Sequence, residues 1–136
     1  MRNSASLETL QALARSYGVA IVSTSMPAGL LGCYLPDRAC VYLDAKLTPM
    51  EVRSVLAHEL GHVHHGHAEA AGGDPEAWER QADAFAARLL IDCDEYASLE
   101  GISDDPYFLA DSLDVTVSVI DAFRTLCLPR MGIVSR

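Results

Sequence analysis

An α+β fold is predicted for this chain by three observations. Three short segments rich in β-branched and aromatic residues, at 19–24, 31–35 and 39–44, are separated by Pro27-Ala28-Gly29 and Pro36-Asp37-Arg38. Two longer segments follow, each opened by a capping residue, a proline and an acid, and each carrying apolar residues at helical spacing. After Asp92 the polarity rises, yet two further stretches, at 106–112 and 116–126, keep a helical rhythm. The expected architecture is a small antiparallel β-meander packed on one long helix, with further helices around it.

The elements follow in chain order. Leu7, Leu10, Leu13 and Ala14 recur at helical spacing and Gly18 stands where a helix stops, so residues 4–17 read as an amphipathic helix. The three strand segments come next, joined in sequence as a meander. Thr48-Pro49-Met50-Glu51 then supplies a capping hydroxyl, proline at the first helical position and glutamate three residues after the cap, which together satisfy the free amides of a helix start. Val52, Val55, Leu56, Leu60 and Val63 give that helix its apolar stripe, and it is expected to end near Gly66. A small-residue linker at 68–73 leads to Asp74-Pro75-Glu76, which repeats the cap-proline-acid pattern, and Trp78, Ala82, Phe85, Leu89 and Leu90 line one face of the second long helix.

At 136 residues, half of them apolar, the chain suits one compact domain over 1–136, with a core at about 1–93 and a helical, helix-turn-helix-like C-terminal subdomain at about 104–127. Nineteen acidic against ten basic residues give a net charge of −9, a field that repels phosphate backbones and anionic lipid. Direct nucleic-acid and membrane partners are therefore not expected. Between Asp104 and Leu126 five aspartates face one arginine, so the C-terminal helices read as a cover for the core rather than a duplex reader. The first uninterrupted apolar run, at 19–22, is too short for a signal-peptide core, and no stretch approaches the roughly 20 residues of a spanning helix. A cytoplasmic protein is expected. Cys33, Cys40, Cys93 and Cys127 form no C-x-x-C pair, and Cys33 and Cys40, although near enough to meet across a hairpin, read as buried free thiols in a reducing compartment.

The chemistry lies in His58-Glu59-Leu60-Gly61-His62. Residues four apart on a helix differ by only about 40° around its axis, so the two imidazoles converge on one point. Glu59 lies about 100° from His58, beside such a point rather than on it, and is free to take a proton from a metal-bound water. All five histidines fall between residues 58 and 67, so a histidine-rich helix end is the plain alternative and further ligands are needed. Glu79 supplies one. It follows His62 by seventeen residues, enough for a turn back, and sits one turn before Asp83 on the same helix face. Glu79 is assigned as third metal ligand and Asp83 as the acceptor for the spare N–H of His58. Two histidines and one carboxylate leave the fourth tetrahedral position for water, as hydrolysis by a single Zn²⁺ requires.

A third histidine in the extended H-E-x-x-H-x-x-G-x-x-H pattern is absent, because Ala68 stands at its final position and His65 at its glycine. His64, His65 and His67 read mainly as surface residues, with His65 retained as a substrate or oxyanion contact. Tyr34 and Tyr42, in strands near the motif, are further candidates to donate to the oxyanion.

With these residues in hand the pattern resembles the ImmA/IrrE family of zinc metallopeptidases. The resemblance rests on Gly32-Cys33-Tyr34, Val41-Tyr42-Leu43, Leu56 to His62 and the run Glu79-Arg80-Gln81-Ala82-Asp83, and spans roughly residues 18–126. It implies a zincin-like fold, a gluzincin-like ligand set at His58, His62 and Glu79, and a catalytic Glu59. It also implies a short phage or mobile-element type of member, whose substrate is a helix-turn-helix transcriptional repressor cleaved to relieve repression. The expected cleft lies between the strands and the His58 helix, with an extended substrate segment on a strand edge. The competing expectation is a non-catalytic, metal-stabilised antirepressor that sequesters its partner.

Overall fold

The Ser6 hydroxyl accepts the Thr9 amide at 3.2 Å and opens helix α1 (Leu7–Ser16), which buries Leu10 and Ala14 before Gly18, at φ +71°, turns the chain away. This computed structural model describes residues 4–68 and 72–132, so residues 69–71 of the expected linker lie outside the described residues. Strands β1 (Ala20–Thr24), β2 (Gly32–Leu35) and β3 (Cys40–Asp44) then form one sheet, with a 3₁₀ turn at Pro36–Arg38 between the last two.

The α+β class holds, but the sheet is mixed and not an antiparallel meander. Its order is β1-β3-β2: β1 runs parallel to β3, from Ala20 opposite Cys40 to Thr24 opposite Asp44, and β2 pairs antiparallel on the other side. The physical reason lies in burial. Val41 and Leu43 of β3 are buried and demand a central position, whereas β1 carries Ser23, Thr24 and an exposed Val22 and suits an edge. Residues 25–31 are also longer than a two-residue hairpin turn, so β1 and β2 need not be neighbours. The register sets Cys33 opposite Tyr42 and Cys40 opposite Leu35, so the two thiols do not face each other; Cys40 and Cys127 are buried, Cys33 is half-buried and Cys93 is exposed.

Helix α2 (Pro49–His64) starts on the reciprocal cap foreseen above: the Thr48 hydroxyl accepts the Glu51 amide at 3.3 Å and the Glu51 carboxylate accepts the Thr48 amide at 3.0 Å. Helix α3 (Pro75–Leu90) starts on Asp74, whose carboxylate accepts the Glu76 amide at 3.1 Å. The two helices meet at Gly61, where a Cβ would lie 2.7 Å from Ala82 Cα and 3.0 Å from its carbonyl oxygen. No side chain fits there, and backbone cannot yield as a flexible side chain does. Gly61→Ala is therefore expected to cost about 1–3 kcal/mol by overpacking, read as a lower midpoint of thermal unfolding; an unchanged midpoint would contradict this close approach.

Helix α4 (Cys93–Glu100) was not foreseen. Asp92, buried, caps it by accepting the Asp94 and Glu95 amides at 2.9 and 3.0 Å, and only Tyr96 is buried along its length, so no apolar stripe announces it. Helix α5 (Pro106–Leu113) and helix α6 (Val117–Ala122) follow, the latter continuing as a π turn at Phe123–Cys127. Ile120 and Phe123 are buried in the core that Leu10, Val41, Leu60 and Leu90 share, so these helices do cover it. Arg53 of α2 ties the layers: its guanidinium donates to the carbonyls of Ala5 at 2.9 Å, Leu90 at 3.2 Å, Leu113 at 3.3 Å and Asp114 at 2.7 Å. Among the described residues no helix is long and apolar enough to cross a membrane.

Candidate metal centre

The close approach at Gly61 brings α3 alongside the last turns of α2, and with it Glu79 to the imidazoles. His58 Nε2 and His62 Nε2 lie 3.2 Å apart, and Glu79 Oε2 lies 2.9 Å from the first and 3.2 Å from the second. Three ligand atoms thus form a nearly equilateral triangle. Tetrahedral bonds of about 2.0–2.1 Å separate adjacent ligands by roughly 3.3 Å, so this triangle fits one face of a zinc-sized coordination shell. Asp83 Oδ1 sits 2.7 Å from His58 Nδ1. The carboxylate accepts that N–H, which leaves the Nε2 lone pair of His58 directed at the triangle.

Glu59 joins this cluster: one of its carboxylate oxygens lies within 4.8 Å of a ring nitrogen of His58 and of His62. Its side chain is buried at 7% exposure beneath β2, where Gly32 has no Cβ to meet Glu59 Cγ and Val55 Cγ1. Burial pushes its carboxyl up to about 7, against the His58 imidazole and the Tyr34 backbone N–H, which donates to it and favours the ionised form. Burial draws His58 down, but the Asp83 hydrogen bond and the nearby carboxylates outweigh it and leave its pKa raised. Burial and the neighbouring His58 hold His62 below the usual imidazole range.

Two cavities, of about 350 and 640 Å³, share Gly32, Glu59 and Glu79 as common walls and so meet at the triangle. Val55, Ala86, Val119 and Ala122 line the first; Leu35, Asp37 and Trp78 line the second. Together they make a groove along the open edge of β2.

Tyr34 lines this groove. Tyr42 does not: it alternates with Val41 and Leu43, which face the core, and its hydroxyl accepts from the Arg38 guanidinium at 3.4 Å instead. His65 is also displaced from the groove, exposed and packed edge-on to Phe85, while His64 stacks on Phe85 and meets the Tyr17 hydroxyl at 2.7 Å. The surface expectation fails for His67, which is 8% exposed. Its Nδ1 lies 2.9 Å from His62 Nδ1 and its Nε2 lies 2.6 Å from Gln81 Oε1. The signal was Gly66: at φ +66° it lets its own amide bond Val63 and the His67 amide bond the His62 carbonyl at 3.0 Å, so the chain doubles back over the last helical turn.

A model of a peptidase family, described as the IrrE N-terminal-like domain, matches residues 14–123. None of the curated proteins matches the sequence. Among solved structures the fold is similar to that of a Mycobacterium tuberculosis transcriptional regulator, with a TM-score of 0.70 and 23% identity over 96% of this chain and 44% of that one. The chain thus spans less than half of that protein's length, and the likeness is one of fold.

Proposed function

The chain belongs to the peptidase family of the IrrE N-terminal-like domain and carries a metallopeptidase-like domain, and from that premise we propose that it is a zinc-dependent endopeptidase acting on a transcriptional repressor in the cytoplasm. The observation that carries this reading is the triangle of His58 Nε2, His62 Nε2 and Glu79 Oε2, with a buried carboxylate, Glu59, alongside it. His58, His62 and Glu79 would hold the zinc. When bound, the ion acidifies a water and polarises a carbonyl.

Glu59 takes the proton of the attacking water as oxygen adds to the scissile carbonyl carbon. It then passes that proton to the amide nitrogen as the C–N bond breaks, releasing an amine and a carboxylic acid that gives up its remaining proton to water. Asp83 keeps the His58 ring oriented throughout.

An extended peptide laid along β2 fits this geometry, since β2 is an edge strand and Gly32 keeps the approach free of a side chain. One arm of the groove takes apolar side chains against Val55, Ala86 and Val119. A net charge of −9 favours a basic partner, as a DNA-binding repressor is. Incubation of the zinc-loaded chain with the repressor encoded beside its gene is expected to give two discrete fragments by mass spectrometry, and none after chelation. An intact repressor in both reactions would exclude that substrate, and an intact repressor held in a stable complex would favour sequestration.

A further inference from the structure

The Asp83 carboxylate accepts from His58 Nδ1, whereas among the described residues no carboxylate stands at Nδ1 of His62. Its Nδ1 faces His67 Nδ1 at 2.9 Å, and His67 in turn faces Gln81 Oε1 through Nε2 at 2.6 Å. An amide oxygen only accepts, so a neutral His67 carries its proton at Nε2 and presents a lone pair at Nδ1. That lone pair accepts from His62 Nδ1–H. With its proton on Nδ1, His62 is left with a bare Nε2, the atom that stands 3.2 Å from both His58 Nε2 and Glu79 Oε2.

We propose that His67 and Gln81 form a positioning relay that fixes His62 as its Nδ1–H tautomer and holds its ring on the metal. The inference rests on the metal reading of the site. Three features of the chain keep the relay in register. Gly66 closes the end of α2 so that the His67 amide bonds the His62 carbonyl at 3.0 Å. The His67 ring stacks on Trp78 with centroids 5.2 Å apart and planes 14° from parallel. Gln81 is on α3, two residues after Glu79, so one helix supplies a metal ligand, the His58 partner Asp83 and the end of the His62 relay. A neutral histidine and an amide thus do for one imidazole what a carboxylate does for the other.

Zinc affinity, measured by competition with a chromophoric chelator, tests the relay, with the thermal unfolding of the metal-free chain as a check on the fold. His67→Phe keeps a ring on Trp78 but removes the acceptor, and is expected to weaken zinc binding by about 10–100-fold. His67→Asn puts an oxygen acceptor near the position of Nδ1 and is expected to recover most of that loss. Wild-type affinity in His67→Phe would overturn the relay, and so would His67→Asn remaining as weak as His67→Phe. If His67→Phe does not fold, Gln81→Met, at an exposed position, serves instead: a loss of about tenfold supports the relay and unchanged affinity overturns it. A native chain that takes up no zinc at all removes the metal reading, and the relay with it, a result distinct from any difference among variants.

Discussion

Glu59→Gln is expected to lower the rate of the proposed repressor cleavage by about 10²–10⁴-fold, the share a positioned general base contributes, while leaving the content of the proposed zinc at the native level. Glutamine keeps an oxygen to accept the Tyr34 N–H and fills the same volume beneath Gly32, so the groove keeps its shape. What it loses is the capacity to accept the water's proton. The fold should not suffer. Burial already disfavours the Glu59 carboxylate enough to raise it to about 7, and a neutral amide at 7% exposure escapes that penalty. The metal-free variant is therefore expected to melt no lower than the native chain. Initial cleavage rates, zinc content and melting curves, taken together, check the result; undiminished cleavage would contradict the assigned base. The same variant separates cutting from sequestration, because a protein that only binds its repressor would relieve repression fully with glutamine at position 59.

The parts of this site that were legible in the sequence are those set by local rules. The Thr48-Pro49-Met50-Glu51 cap depends on four consecutive residues, and the convergence of His58 with His62 depends on the pitch of one helix. Glu79 and Asp83 were readable as a pair because they too are one turn apart on one helix; their direction toward α2 depended on the fold. The rest required tertiary information. Strand spacing does not say which strand is central, and the burial of Val41 and Leu43 against the helices decided it. Helix α4 escaped notice because a single buried tyrosine makes no stripe. The need for glycine at position 61 comes from Ala82 on another helix, a contact that no local pattern announces. His67 lies five residues beyond His62, off the helical repeat, and only the left-handed turn at Gly66 returns it to the site. That last feature was available in the sequence: a glycine following a helix, flanked by the residues that such a turn brings into contact.

Glu79→Ala is the variant on which the account depends most. The Glu79 side chain is 58% exposed, so its removal costs little packing and the metal-free fold should melt as the native one does. Yet it supplies the oxygen that stands 2.9 and 3.2 Å from the two imidazole nitrogens, and without it two ligands from one helix remain. Loss of a direct ligand is expected to exceed the 10–100-fold effect of an outer hydrogen-bond partner, so affinity should fall by more than about 100-fold, and cleavage should fall with it. The direct measurement is zinc bound per chain after equilibrium dialysis, for the native protein and for Glu79→Ala in parallel. A single tightly held zinc in the native chain and almost none in the variant, with matching melting curves for the metal-free forms, is the predicted result; a variant that retains its zinc as tightly as the native chain would contradict it.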